Sequence, residues 1–302
     1  MDVGLLPEGV LPGGRFESWR PARPGYVVCD VDGTLIGPNA VSSPGVAAAF
    51  GRAREAGLRV GYATGGSRDA VAALHAQLGG DGPHVLHNGA EVRLAGETLA
   101  AWHLTAPQVD GLLAIARGRS DTYVEIYLEV GFTASSRDER ARPHWEILGS
   151  EPLAVIDRAS KLAGAEVMKA TFAVFDRHAV DAIEAGITEL GLLAGTAGSP
   201  RTPGIVYVNA THPEADKGRG IAHAAAYLGI GLDAVVAIGD AANDRSMLEI
   251  AGTAIAMGQA PGEIRSLAHL VVPDVADDGA AVALDAAVVW RLATGLARTG
   301  LA

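Results

Sequence analysis

Asp30 and Asp32 stand two residues apart, followed by Gly33-Thr34-Leu35. Alternate residues of a strand share a face, and a glycine after them lets the chain turn. One carboxylate can then face a phosphorus atom while the other reaches the leaving-group oxygen. Thr64-Gly65-Gly66-Ser67 offers a hydroxyl and exposed amides at a predicted helix start, which makes an anion site. Lys217 opens another predicted helix and supplies a cation. Gly239-Asp240-Ala241-Ala242-Asn243-Asp244 adds two more carboxylates and an amide. Hard oxygen donors of this kind suit Mg²⁺. Together the four segments describe phosphoryl transfer through an aspartyl-phosphate.

Each segment falls where a strand should end or a helix begin. A short apolar strand is predicted at 26–29, ending at Asp30. Ser43-Pro44 reads as an N-cap followed by proline at the first helical position, with Gly57 as the stop. A strand at 58–63, a helix at 67–78 and a strand at 84–86 follow. This alternation predicts a parallel sheet covered on both faces. The rhythm returns late, with helices at 217–228 and 244–251, strands at 234–238, 254–257 and 270–272, and a final helix within 279–296. In open sheets of this type, ligands bind beyond the carboxyl ends of the strands.

The middle of the chain reads differently. A hairpin is predicted over 91–104 around Ala95-Gly96, half-exposed strands at 123–130 and 167–175, helices at 107–117 and 179–190, and a strand at 204–208. The expected organisation is an irregular arm at 1–24, a Rossmann-like α/β core from 25–90 and 212–302, and an inserted α+β domain at 91–211.

Composition narrows the function classes. The 302 residues carry a formal charge of −11, and Arg137, Arg140 and Arg142 are interleaved with Asp138 and Glu139, so a nucleic-acid partner is not expected. No apolar run reaches the roughly 18 residues of a membrane span. The single cysteine, Cys29, suits a reducing compartment, and no secretory signal is evident, so a cytoplasmic protein is expected. Homodimerisation is left open.

The four motifs resemble those of the haloacid-dehalogenase-like phosphohydrolases, and the large insertion resembles that of the Cof-like branch with a type IIB cap. The resemblance covers most of residues 25–290. It implies a Mg²⁺-dependent phosphatase acting on a small phosphate ester, with a cap closing over the site. Residue by residue, it implies Asp30 as nucleophile and Asp32 as general acid/base. Thr64, with Gly33, Gly65 and Gly66, would bind the phosphoryl group, steadied by Lys217. Asp240 would hold the metal beside the Asp30 carboxylate and the Asp32 main-chain carbonyl. Asp244 would help through the metal or its waters, and Asn243 by orienting Lys217 or phosphate. Asp32 itself favours phosphate esters over haloacids, since dehalogenation needs no leaving-group acid. Asn88-Gly89-Ala90 looks like the crossing from core to cap.

The second motif departs from the family's frequent Thr-Gly-Arg, because Gly66 takes the arginine position. Gly-Gly-Ser is instead similar to the phosphomannomutase branch, so a phosphohexomutase is the alternative. A phospho-aspartate receiver would combine similar residue types, but receivers are short and lack such an insertion. Substrate selection is expected in the insertion, at Glu125, Tyr127 and Lys169 on its strands, with Arg201 and Asn209 near the return to the core. A sugar phosphate is the expected substrate class.

Overall fold

The computed structural model describes residues 6–39, 41–198 and 202–299. Arg201 lies outside them. Along the chain, β1 (Leu11–Pro12) and β2 (Tyr26–Cys29) lead into α1 (Pro44–Glu55), β3 (Arg59–Tyr62), α2 (Arg68–Leu78) and β4 (His84–Leu86). The hairpin β5 (Glu91–Leu94) and β6 (Glu97–Ala101) precedes α3 (Ala106–Ala116), β7 (Thr122–Leu128), β8 (Phe132–Ala134) and α4 (Arg142–Leu148). Then come β9 (Val167–Val174), α5 (Val180–Glu189), β10 (Leu193–Gly198) and β11 (Val206–Thr211). The chain ends through α6 (Lys217–Tyr227), β12 (Val235–Gly239), α7 (Arg245–Ile250), β13 (Thr253–Ala256), α8 (Gly262–Leu267), β14 (Leu270–Val271) and α9 (Gly279–Thr299).

Two compact units result. The first takes in residues up to Gly65, Val71–Ala100 and everything from Lys217 on; the second comprises Gly66–Ala70 and Ala101–Asp216. The insertion therefore begins near 101 rather than 91. The hairpin stays with the first unit because β5 pairs antiparallel with β4, Val85 opposite Val92.

The first unit is an α/β core around a sheet ordered β1-β14-β13-β12-β2-β3, parallel except for the short β1. Its strands are continuous apolar runs, as burial on both faces requires. Val27, Cys29, Val236, Ile238 and Ile255 pack against Val46, Phe50 and Ala53 of α1 and Ala283, Leu284 and Ala287 of α9. Ser43 caps α1 as expected, its Oγ accepting from Val46 N–H at 3.0 Å. β4 departs from expectation. It sits in a separate antiparallel sheet with β5 and β6 and touches the main sheet at a single parallel bridge, Ala63 to Val85.

The N-terminal arm has little regular structure, yet it is firmly attached. Trp19 is buried, its indole N–H donating to Thr253 Oγ1 at 3.0 Å and its ring edge-on to Trp290 at 5.2 Å.

The second unit is an α+β domain on an antiparallel sheet ordered β10-β11-β9-β7-β8. One face packs Val124, Ile126, Phe172 and Val208 against Leu112 of α3 and Ile183 and Ile187 of α5. The other carries Tyr123, Tyr127, Phe132 and Tyr207, packed with Trp145 of α4. β7 and β9 are thus buried almost throughout, not half-exposed; Trp145 of α4 packs on Tyr123, Tyr127 and Ala173 of the second face.

Candidate active site

Three strand ends of the first unit supply the chemistry. β2 delivers Asp30 at its C-terminal end, bonded through its N–H to Ile238 O of neighbouring β12 at 2.8 Å. β12 runs beside β2 in register, Ile238 opposite Cys29, so Asp240 emerges alongside. Lys217, first residue of α6, is buried and reaches both Asp30 Oδ1 (2.5 Å) and Asp244 Oδ1 (2.6 Å). The second oxygen of Asp244 accepts the main-chain N–H groups of Asp240 and Ala241, each at 2.9 Å. Asp244 is thereby committed to holding its own loop closed as well as the ammonium.

Asp30, Asp240 and Asp244 each present an oxygen within 4.8 Å of the others. Three carboxylates against one ammonium leave an excess of negative charge in a largely buried place. Burial, then the Asp244 charge, push the Asp30 carboxyl well above the usual range, with Lys217 acting in the opposite sense. Burial and Asp244 likewise push Asp240 up to about 6. Burial would lower the Lys217 pKa, but the charges of Asp244 and Asp30 prevail and raise it. An all-oxygen donor set with surplus negative charge fits a hard divalent cation such as Mg²⁺.

Gly33 is required by shape as well as by its φ of +89°. A Cβ there would collide with the Asp240 carboxylate. Gly239 is similarly constrained, since its Cβ would stand 2.6 Å from Asp244 Oδ2. Thr34, a residue not singled out from the sequence, donates its hydroxyl to Asp240 Oδ1 at 3.2 Å. Asp32 is exposed, and its side chain is not among the clustered carboxylates.

Thr64 is buried just past β3. Its N–H donates to Val85 O (2.8 Å) and its carbonyl accepts from Asn88 N–H (2.9 Å), so its main chain is occupied by the edge of the fold. Asn243 lies near the same edge, its amide 3.4 Å from Asn88 Oδ1. Gly65 belongs to the first unit, whereas Gly66 groups with the second.

In the second unit, the expected substrate residues share one face of the sheet. Tyr127 pairs across from Lys169, and Thr171 from both Glu125 and Asn209. Lys169 Nζ lies 3.4 Å from Asn209 Oδ1 and 4.6 Å from the Tyr127 ring centre. Glu125 is fully buried and accepts from Tyr123 OH (2.5 Å), Tyr127 OH (2.7 Å) and Trp145 Nε1 (2.9 Å), with His144 Nε2 at 3.2 Å. Among the described residues no helix is long and apolar enough to cross a membrane.

Comparison with known proteins adds the lineage. The chain is 25% identical over 284 residues to the 5-amino-6-(5-phospho-D-ribitylamino)uracil phosphatase YwtE of Bacillus subtilis, covering 86% of this chain and 96% of that one. It is 38% identical over 102 residues to a phosphoglycolate phosphatase of Halorubrum lacusprofundi. Two of the shorter matches span only 30% and 44% of the relatives' own lengths. Among solved structures, the phosphatase BT1666 of Bacteroides thetaiotaomicron superposes with a TM-score of 0.75 at 23% identity, covering 95% of this chain and all of that one. The subclass IIB sugar phosphatase BT4131 shares the fold at a TM-score of 0.74 and 20% identity, covering 86% of this chain and 98% of that one. The sequence profile of haloacid dehalogenase-like hydrolases matches residues 27–284. With a parallel α/β core and an inserted α+β domain, the chain belongs to the haloacid dehalogenase-like hydrolases.

Proposed function

We propose that this hydrolase is a Mg²⁺-dependent phosphatase that cleaves a small phosphate monoester, of the sugar-phosphate class, through an aspartyl-phosphate on Asp30. The observation that carries this reading is the clustering of the Asp30, Asp240 and Asp244 carboxylates, two of which, Asp30 and Asp244, are held by Lys217.

Asp30 attacks phosphorus in line, and the phosphorus–ester oxygen bond breaks. Asp32 gives its proton to the departing alkoxide. The same carboxylate, now ionised, takes a proton from water as the water oxygen attacks the aspartyl-phosphate. The bond from phosphorus to Asp30 breaks, inorganic phosphate leaves and both carboxyl groups return to their starting states. Lys217 holds Asp30 in place and offsets charge on the phosphoryl oxygens. The Thr64 hydroxyl and the amides of Gly65 and Gly66 receive those oxygens, with Asn243 orienting them. The Asp30 and Asp240 carboxylates and the Asp32 carbonyl, with Asp244 in support, would hold Mg²⁺, which when bound would neutralise the charge that three carboxylates and a phosphate bring together. Lys169 and Asn209 would bind the alcohol portion of the substrate. The lone, buried Cys29 supports a cytoplasmic setting.

Asp30→Asn should lose at least about a thousandfold in rate, roughly 4 kcal/mol of barrier. Phosphate release from a panel of metabolites, with and without Mg²⁺, is the measurement; a variant with near-normal Mg²⁺-dependent turnover ends the proposal. The Gly65-Gly66-Ser67 segment bears on a mutase instead, although neither the family nor the phosphatase relatives favour it. Isomer formed from a hexose phosphate, without phosphate release, would reinstate it.

A further inference from the structure

Asp32 is exposed and is carried on a tight turn. Val31 O accepts from Leu35 N–H (2.9 Å) and Ile36 N–H (3.0 Å), and Gly33 N–H donates to Ile36 O (2.8 Å). The Gly33 carbonyl faces out of this turn, and one side chain from a distant segment takes it. Gln259 donates its Nε2 to Gly33 O at 2.5 Å, 226 residues away in sequence. Its Oε1 accepts Val275 N–H at 3.1 Å. With one end donating and the other accepting, the amide has a single orientation that satisfies both partners. Gln259 also bonds toward Asp240, opposing the rise of that carboxyl's pKa. Its own backbone is anchored, because flanking Met257 N–H donates to Gly239 O (3.0 Å) and Ala260 N–H to Met257 O (3.1 Å).

We propose that Gln259 is a positioning residue that clamps the Asp32 turn through the Gly33 carbonyl and so aims the general acid/base. The proposal rests on the role given to Asp32 above. Gln259 touches neither substrate nor reacting atoms in that scheme; it acts by holding the Gly33–Thr34 peptide, one peptide on from Asp32. The Thr34 hydroxyl on Asp240 holds the residue on the other side of that peptide, so the turn is gripped from two sides. A side chain one methylene shorter would not span both Gly33 and Val275.

Leaving-group dependence separates this role from general loosening. A p-nitrophenolate leaves readily without a proton, whereas an alkoxide needs one, so a misaimed acid penalises alkyl esters selectively. The experiment compares kcat/KM for p-nitrophenyl phosphate and for the alkyl phosphate that wild type turns over fastest. It uses Gln259→Met, which keeps length without donor or acceptor, and Gln259→Glu, which sets a carboxylate oxygen against the Gly33 carbonyl. Asp32→Asn serves as the reference. Both Gln259 variants should lose at least about tenfold on the alkyl ester and less than about threefold on p-nitrophenyl phosphate, in the same direction as Asp32→Asn. If Asp32→Asn is selective while both Gln259 variants lose nothing, or lose both substrates equally, the clamp is refuted and the role of Asp32 stands. If Asp32→Asn itself affects both substrates equally, the acid/base assignment falls and the clamp with it.

Discussion

Lys217 Nζ stands 2.5 Å from Asp30 Oδ1, joining residues 187 apart in sequence inside a pocket that leaves the ammonium no exposed surface. The same nitrogen holds Asp244 at 2.6 Å, so one cation serves two buried carboxylates. Lys217→Met should therefore cost about 3–5 kcal/mol of stability, the penalty for stranding buried charge, and abolish turnover. Urea denaturation with and without Mg²⁺, alongside phosphate release, checks both effects. A variant as stable as wild type in the absence of metal would show that the ammonium is not what holds the carboxylates.

Asp240 gives a pH signature. Burial and the Asp244 charge raise its pKa from 3.8 to about 6. A carboxyl whose pKa rises on folding favours the fold while protonated, and that contribution is lost as pH climbs through the folded-state value. Metal-free protein should lose stability between about pH 4 and about pH 6, and Mg²⁺ should restore more at about pH 7.5 than at about pH 5. Melting curves in chelator and in Mg²⁺ at the two pH values decide it; a larger metal effect at the lower pH contradicts the assignment.

Glu125 tests whether the inserted domain depends on a buried charge. Burial alone would raise its pKa, but hydrogen bonds from His144, Tyr123 and Tyr127 lower it. Stability from this group is present above the ordinary 4.5 and disappears as pH falls through the lower folded-state value. Glu125→Ala would remove the shared acceptor of two tyrosine hydroxyls and an indole N–H, for a loss of about 3–5 kcal/mol. Glu125→Gln, which can still accept, should lose less. Limited proteolysis of the insertion together with a urea titration would expose the difference, and equal stability of the three proteins would refute it.

Trp19 makes the N-terminal arm part of the core. Trp19→Ala should destabilise by about 3–5 kcal/mol, and Trp19→Phe by less, chiefly through the indole bond to Thr253. Turnover per folded molecule should stay unchanged in both, since Trp19 bonds Thr253 at the start of β13, which pairs with Val236, four residues before Asp240 and at the opposite end of β12. A fall in kcat without a fall in melting temperature would contradict that separation.

The core strands and helices were legible because their apolar runs are bounded by Gly, Pro and Ser with fixed conformational preferences. Ser43-Pro44 starts α1 where the pattern places it, and Ala95 and Gly96 both adopt the positive φ that a tight hairpin needs. Four of the clustered side chains, Asp30, Lys217, Asp240 and Asp244, were likewise visible from type and order. What escaped depends on tertiary pairing. β8 and β10 are short or Gly/Ala-rich, and only their neighbours make them strands. Trp145 of α4 covers part of the insertion's second sheet face, which alternation alone assigns to water. Gln259 carries no local signal, because its partner Gly33 lies 226 residues away, and the bond of Thr34 to Asp240, 206 residues on, is not read from the motif that contains it.

Lys217 is also the residue at which the chain re-enters the first unit after the insertion. Chemistry and the splice point are therefore neighbours on the backbone. Under the proposed function, exchanging everything between 101 and 210 would leave Asp30, Lys217, Asp240 and Asp244 unchanged. Any graft that alters the Thr211–Ala215 turn, closed by Thr211 Oγ1 on Ala215 O at 3.0 Å, would instead shift the ammonium's own anchor. Chimeras joined upstream of Thr211 should be active far more often than those joined within 211–217.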